Sequence, residues 1–302
     1  MAVNMNIDSA KQFILQNARP VDLAVYRYYF ENQSNRTVIA ELSKYQNKDG
    51  GFGNGLEPDF VNPASSPIAT NDAIITLYRT KALEKGSQMV KEIVKYLKSH
   101  DSFDEDKKRW LFAIDSNKDY PHAIWWEKNE GDGISGFNPT MSLAAFMVCY
   151  GDGVSMYKDI IKEGMEHLQE NEDINGDELK CYLLAYELLT QNNVFGIIDL
   201  KHLETLIRDK MGDIVSKDID KYGVEYVTAP SDIFSGIYPE FITPEIRSLM
   251  DAEKAVLHNL QKEDGGFDIT WQWYTQYPEF EQARNNWRPR VTTEKLLFHL
   301  MT

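Results

Sequence analysis

The chain has 302 residues and a formal net charge of −15, and 42% of its residues are hydrophobic. This length allows one large domain or two ordinary ones, and the hydrophobic content is enough for a sizeable core. A net charge of this sign repels phosphate backbones and anionic lipid surfaces, so we expect neither nucleic acid nor a membrane as a partner.

Targeting signals and cysteine usage bear on location. The first residues, MAVNMNIDSAKQ, lack a basic segment followed by an apolar one, so we expect no secretory signal. No apolar run approaches the length of a membrane span, and we therefore expect no stable membrane insertion. Cys149 and Cys181 lie in apolar helical runs, where a cysteine usually is a small buried hydrophobe. We expect no disulfide and a cytoplasmic protein.

Helical periodicity dominates, and two kinds of helix alternate along the chain. The first kind is amphipathic, with one apolar stripe and one charged face, as in a helix that covers a core. The second kind is apolar nearly all round and must be surrounded by protein. The predicted amphipathic helices are 8–17, 36–46, 88–98, 154–169, 199–211 and 249–261. The predicted buried helices are 20–30, 68–78, 139–150, 179–189 and 291–301.

Two prolines mark predicted helix starts. Asn138 is a candidate cap for a helix whose first residue is Pro139, and Pro67 opens another helix. A sixth buried helix would fall in 230–243, where three prolines blur the pattern.

This alternation predicts an all-α fold, an (α/α)6 toroid in which a ring of inner helices is enclosed by a ring of outer helices. We expect a single domain over residues 1–302. A two-domain helical array is the alternative, and no Gly/Pro/Ser-rich linker near the middle supports it. Since the inner helices run parallel, their N-termini face one end, and the long loops 47–66, 99–138, 212–230 and 262–290 are expected to meet there as a mouth.

A short repeat follows two of the amphipathic helices: QNKDGGFG at 46–53 and QKEDGGFD at 261–268. Gly-Gly permits a sharp backbone reversal and Asp bonds local amides, which indicates a structural role. The element resembles the repeat of the terpenoid cyclase and protein prenyltransferase superfamily, and the resemblance implies the same toroid. The matching positions are Gln46, Asp49, Gly50, Gly51 and Phe52, and again Gln261, Asp264, Gly265, Gly266 and Phe267.

The catalytic signatures of that superfamily do not accompany the repeat. The chain has no DxDD element, with which squalene–hopene cyclases protonate their substrate. Prenyltransferase β-subunits bind zinc through an Asp, a Cys two positions later and a distant His. The nearest equivalents are Asp177, which is also a candidate helix cap, Cys181 and His299. Because the spacing differs, we expect no metal and no cofactor.

The segment NGLEPDF at 54–60 carries the best acid–base candidates. Pro58 biases Glu57 toward an extended conformation, in which Glu57 and Asp59 would point the same way. Two nearby carboxylates in a partly dry site raise one pKa and create a proton donor. The alternative is a solvated acidic loop in which Pro58 makes a turn. Asp72 joins these candidates because it lies past the first turn of an otherwise apolar helix.

All six tryptophans lie in the predicted loops 99–138 and 262–290, where connecting segments can form a site. In HAIWWEK at 122–128, Trp125 and Trp126 offer flat faces to a ligand and His122 could move a proton. The alternative is a lid that packs its own aromatic side chains.

The second tryptophan loop adds further candidates for binding. Trp271 and Trp273 lie two positions apart, on one side if the segment is extended. Trp287 and Arg288 follow, and the guanidinium could hold a carboxylate or phosphate. In so acidic a chain Arg288 is alternatively a local ion-pair partner.

These features together favour an enzyme that binds an apolar, isoprenoid-like ligand in the central cavity. Glu57 and Asp59 would be its acid–base pair, and the tryptophan loops would close the mouth. A carbohydrate-active (α/α)6 hydrolase or lyase is the second interpretation, with the same carboxylates as acid and base. A non-catalytic binding toroid is the third, favoured by the missing signatures.

Overall fold

The computed structural model describes residues 5–128, 131–152 and 155–302. These residues form eleven α-helices and one antiparallel hairpin of two short strands, β1 (Phe103–Asp104) and β2 (Arg109–Trp110), so the all-α prediction is confirmed. The helices are α1 (Ile7–Asn17), α2 (Pro20–Phe30), α3 (Asn35–Leu42), α4 (Pro67–Arg79), α5 (Gln88–Lys98), α6 (Thr140–Tyr150), α7 (Ser155–Glu170), α8 (Gly176–Gln191), α9 (Leu200–Ile214), α10 (Pro244–Leu260) and α11 (Phe280–Met301).

The helices occur in the predicted order, and α6 and α5 show the two predicted kinds. The prediction is wrong for α2, where only Val21, Asp22, Ala24 and Tyr26 are buried. In α6 every residue except Val148 and Tyr150 is buried, because the helix is apolar all round. In α5 only one stripe is buried, formed by Met89, Val90, Ile93, Tyr96 and Leu97. Of the predicted helix 154–169, the first position lies outside the described residues.

The segment predicted to hold a sixth buried helix contains two short 310 turns and no described α-helix. These turns are Pro230–Asp232 and Pro239–Phe241, and each begins at a proline. The first turn packs against α10 and α11. Proline lacks an amide hydrogen and clashes with the preceding turn of a helix. Each of these prolines can therefore begin a helical turn but cannot lie inside a longer helix.

The chain divides into two compact units, residues 1–41 with 212–302 and residues 42–211. Within the second unit, α6 packs against α5, α7 and α8. Within the first unit, α1 packs against α2 and α11, and α10 packs against the 230–232 turn. Whether these units make one domain stays a prediction. None of the helices in the described part is long and apolar enough to cross a bilayer.

The first repeat copy is a tight turn tied to the start of α5. The Gln46 amide donates to the carbonyls of Gly50, at 3.0 Å, and of Met89, at 3.4 Å. Asp49 accepts a hydrogen bond of 2.9 Å from the Gly51 amide. The Phe52 amide then donates to Thr70 of α4, at 3.1 Å. The repeat therefore joins an amphipathic helix to the buried helix that follows.

The second copy repeats this geometry at the other end of the chain. The Gln261 amide donates to the carbonyls of Gly265, at 2.8 Å, and of Asn6, at 2.9 Å, and Asn6 caps α1. The Phe267 amide donates to Thr292 of α11, at 2.9 Å. The contact with Asn6 links the last repeat to the first helix of the chain.

Several predicted boundaries and caps are wrong. α11 begins at Phe280, within the segment predicted as a loop. Trp287 and Arg288 therefore lie in a helix and not in a loop. Pro139 is not the first helical residue but the N-cap of α6, after a cis peptide bond. Asn175, and not Asp177, caps α8, because its side chain accepts from the Glu178 amide.

Candidate functional site

Backbone pairing joins the two segments that carry most of the predicted catalytic residues. We call residues 54–62 the carboxylate loop and residues 120–126 the indole loop. The Ala123 amide donates to the Asp59 carbonyl, and the Val61 amide donates to the Pro121 carbonyl, both at 2.9 Å. Glu57, Asp59 and His122 are thereby brought to one short stretch of paired backbone, although residues 63–119 separate the two loops.

The carboxylate loop makes a turn at Pro58, and the predicted extended conformation is wrong. The Phe60 amide donates to the Glu57 carbonyl at 3.4 Å, which closes a turn over Pro58 and Asp59. The Asp59 amide donates to Glu57 Oε1 at 3.2 Å. Both side chains are nonetheless buried, with exposed fractions of 8% for Glu57 and 3% for Asp59. The loop is therefore not a solvated acidic segment.

Two buried asparagines hold the paired loops in place. Asn62 donates to the side-chain oxygens of Ser116, at 2.8 Å, and of Asn117, at 2.9 Å. Asn117 in turn donates to the Trp126 carbonyl at 3.0 Å. Sequence analysis missed Asn62 and Asn117, since asparagine in a loop is ordinarily a turn residue. Nothing in the spacing of these residues indicates that they meet.

His122 is buried in the indole loop beside the paired backbone. Its Nδ1 lies 2.6 Å from the Tyr120 carbonyl oxygen. A carbonyl only accepts, so the hydrogen of a neutral ring is assigned to Nδ1 and the lone pair to Nε2. The side chain is 3% exposed, which supports a fixed orientation.

The two neighbouring tryptophans of the indole loop have different surroundings. Trp126 is buried and stacks on Phe112, with ring centroids 4.5 Å apart, and meets Phe60 edge-on at 5.2 Å. This ring packs within the loops themselves. Trp125 is half-buried and keeps part of its surface open. Of the pair, Trp125 is the one with surface left for a ligand.

Asp72 lies on a different element, in the second turn of α4, and is buried. The preceding residue, Asn71, accepts a hydrogen bond of 2.6 Å from Ser142 of α6. Thr70 is the acceptor for the first repeat copy. Polar residues at this level of α4 therefore connect it to its neighbours, and a catalytic role for Asp72 stays a prediction.

The aromatic residues predicted in the second tryptophan loop belong to the unit formed by residues 1–41 and 212–302. Trp273 is buried against Phe280. Trp271 is half-buried and meets two rings edge-on, Trp287 at 5.3 Å and Tyr226 at 6.0 Å. Trp271 and Trp273 thus have different ring neighbours. That all the tryptophan loops meet at one mouth stays a prediction.

Arg288 is held by the second repeat copy. Its guanidinium donates to Asp264 Oδ1 at 2.8 Å and to the Phe267 carbonyl at 3.3 Å, and it lies over the Phe13 ring. The side chain is only 14% exposed. These contacts are those of a local ion-pair partner, which was the alternative interpretation.

Asp177 and Cys181, the nearest equivalents of two prenyltransferase zinc ligands, have other partners. The Asp177 carboxylate lies 2.8 Å from Lys180 Nζ, and Cys181 donates to Asn138. Burial raises the pKa of the Cys181 thiol to about 12. Burial, with Lys254 nearby, lowers the pKa of His299. In the part of the chain that the structure describes, no three His, Cys, Asp or Glu side chains form a metal-binding group.

Comparison with known proteins identifies no relative. No protein-family model matches the chain, and neither the curated proteins nor the solved structures gave a significant match.

Proposed function

We propose that the chain is an acid–base enzyme built on an (α/α)6 toroid, with its catalytic residues in the paired carboxylate and indole loops. The observation that carries the proposal is the burial of Glu57, Asp59 and His122 in one stretch of paired backbone. Buried ionisable side chains that are gathered at one place are candidates for a functional site, because removing a charge from water is costly.

The toroid is supported by the order of the helices and by the repeat. Amphipathic and buried helices alternate along the chain, and both repeat copies join one kind to the other. The hydrogen bonds between Gln261 and Asn6 join the C-cap of α10 to the N-cap of α1. A closed ring of helices would need such a contact between the last and the first of its outer helices.

Glu57 and Asp59 are the proposed acid and base, and His122 is a second proton carrier. A general acid and a general base must approach the same substrate from fixed positions, and the paired backbone supplies the rigidity. The flanking residues Leu56 and Phe60 are buried and apolar, which keeps water from the carboxylates. An apolar, isoprenoid-like ligand suits these surroundings.

A saccharide is the second candidate ligand, and a cluster of aromatic rings favours it. Tyr226, Trp271 and Trp287 form a chain of edge-on contacts, and Tyr226 is 67% exposed. Flat exposed rings with a polar edge bind the apolar faces of sugars. This cluster belongs to the unit formed by residues 1–41 and 212–302, so it supports saccharide binding by that unit.

The test is a screen of wild-type protein against isoprenoid alcohols and diphosphates and against oligosaccharides, with products detected by mass spectrometry. We expect conversion of one class, reduced by about a hundredfold or more in Glu57→Gln or Asp59→Asn, since a positioned proton donor contributes a factor of that order. Glu84→Gln, which alters an exposed carboxylate, is the control. Unchanged turnover in both loop variants would remove these carboxylates from the mechanism.

The same screen separates the two ligand classes. If the ligand is a saccharide, Tyr226→Ala should weaken its binding, whereas Phe195→Ala, which removes an equally exposed ring, should not. Binding without any conversion would favour a non-catalytic toroid.

A further inference from the structure

A pocket of about 330 Å³ lies outside the carboxylate and indole loops, in the unit formed by residues 42–211. Small-molecule sites have volumes of this order or larger. We call it the basic pocket, since three of its six lining residues are basic in a chain of net charge −15. The lining residues are Lys107, Arg109, Ile134, Gly136, Phe137 and His167.

A buried carboxylate holds the back of the basic pocket. Glu178, in the first turn of α8, is 5% exposed and accepts a hydrogen bond of 2.8 Å from the Phe137 amide. Gly136 has a φ of +50°, and a Cβ at this position would lie 2.5 Å from Glu178 Oε1. The turn before α6 is therefore shaped around this carboxylate, and a side chain at position 136 would displace it.

Glu178 also orients the imidazole of His167, which projects from α7. The Nε2 atom of His167 lies 3.0 Å from Glu178 Oε1 and 3.3 Å from the Asn171 amide nitrogen. Since a carboxylate only accepts and its bond is the shorter one, we assign the hydrogen to Nε2. Among the described residues, Nδ1 then has no hydrogen-bond partner. A buried acid thus fixes the orientation of a ring that lines the pocket.

The two cations of the pocket pair with exposed acids, and Arg109 also donates to the backbone carbonyls of Lys107 and Lys108. The Arg109 guanidinium lies 3.7 Å from the Phe137 ring centroid and 3.2 Å from a Glu163 oxygen. Lys107 pairs with Asp132. Glu163 and Asp132 are 41% and 44% exposed. Exposed ion pairs contribute little to stability, so an anion in the pocket can compete with either acid for its cation.

We propose that the basic pocket binds a small oxyanion, a phosphate or a carboxylate, between Arg109 and Lys107 and beside His167. Arg109 supplies donors in a plane that matches either group. Because His167 Nδ1 carries a lone pair in the assigned form, it is not a donor to the anion. The ring, held by Glu178, instead reports whether the pocket is occupied. This site is separate from the one proposed for acid–base chemistry and does not depend on it.

The binding test is calorimetric titration of the full chain with inorganic phosphate and, separately, with succinate, each at constant ionic strength set by sodium chloride. We expect saturable binding of at least one anion, and the two arms decide between phosphate and carboxylate. Arg109→Gln should weaken binding at least tenfold. Arg208→Gln, which removes another arginine paired with a partly exposed glutamate, is the matched control and should change it less than twofold.

A second measurement follows the wild-type protein, and a variant serves only to assign the resonances. In ¹H–¹⁵N spectra that report imidazole nitrogens, the His167 resonances are those lost in His167→Gln. We expect the Nε2-protonated form without anion and a saturable shift of Nδ1 as anion is added. The proposal is overturned by any of three results: no saturable binding of either anion, equal weakening by Arg109→Gln and Arg208→Gln, or an Nδ1 signal that does not move.

Discussion

Single residues of the repeat show why its sequence is so restricted. Gly50 and Gly265 have φ values of +102° and +90°, which only glycine adopts readily. A Cβ at Gly50 would lie 2.0 Å from the Glu92 carbonyl oxygen of α5, and one at Gly265 would lie 2.4 Å from the Ser9 carbonyl oxygen of α1. Both glycines thus combine an unusual backbone conformation with the close approach of an amphipathic helix.

We expect Gly50→Ala to lower the free energy of unfolding by about 2 kcal/mol or more, because strain of this kind costs on the order of 1–3 kcal/mol before any clash is counted. The measurement is urea unfolding followed by circular dichroism. Gly86→Ala is the control, since Gly86 has a φ of +87° but nothing within 4 Å of an added Cβ. If the free energy of unfolding falls equally in both variants, the close approach of Gly50 to α5 does not contribute to the loss of stability.

At the scale of elements, a buried ion pair holds the 230–232 turn, in the segment predicted to hold a sixth buried helix. Lys295 of α11 lies 3.0 Å from Glu253 of α10, and Lys295 also donates to Ser231 in the 230–232 turn. Burial alone would lower the pKa of Lys295, but the Glu253 and Asp232 carboxylates outweigh it and raise the pKa above its ordinary value. The turn is thus held between two helices by charge and hydrogen bonds where helical packing is absent.

Lys295→Met should destabilise the protein by about 3–5 kcal/mol, because it leaves Glu253 buried without its counter-charge. Adding Glu253→Gln to this variant should recover part of the loss. The raised pKa also predicts a pH dependence: the contribution of Lys295 is fully present below its ordinary pKa of 10.5 and is lost as the pH rises through the higher folded value. Urea unfolding at neutral and at alkaline pH measures both effects.

The loss of stability in the double variant is compared with the losses in Lys295→Met and Glu253→Gln alone. If it equals their sum, the two residues do not interact, and the ion-pair assignment is contradicted. Lys217→Met, which removes an exposed lysine paired with Glu245, is the matched control and should cost little.

At the scale of the whole molecule, net charge is the property that constrains partners. The chain carries 47 acidic and 32 basic side chains, so its long-range field is negative. The basic pocket is a local exception, where two cations and a histidine line one cavity. A small anion can enter such a pocket, whereas an extended polyanion meets the field of the whole surface.

We therefore expect the protein to pass through heparin resin without retention and to remain in solution with anionic lipid vesicles. The salt concentration should be low, about 0.05 M, so that the repulsion is weakly screened. A basic protein of similar size is the positive control for both supports. Retention that disappears on adding salt would show a basic surface large enough to override the net charge.

The sequence by itself determined most of the helical segments, the burial of α4, α6 and α8, and that a QxxDGGF turn follows two amphipathic helices. Apolar residues recur with the period of a helix, so a helix and its buried face can be recognised from the local sequence. The residues that pack against that face need not be known. The start of α11 could not be found in this way, because its first turns are polar and contain Pro289.

Only the tertiary structure decided how the candidate residues are grouped. The pairing of the carboxylate loop with the indole loop, and the ion pair between Lys295 and Glu253, join residues that are far apart in the chain. Long-range partners leave no periodic pattern, since any loop of sufficient length can bring them together. For the same reason the tautomer of His167 and the packing of Trp126 are consequences of neighbours that the local sequence does not reveal.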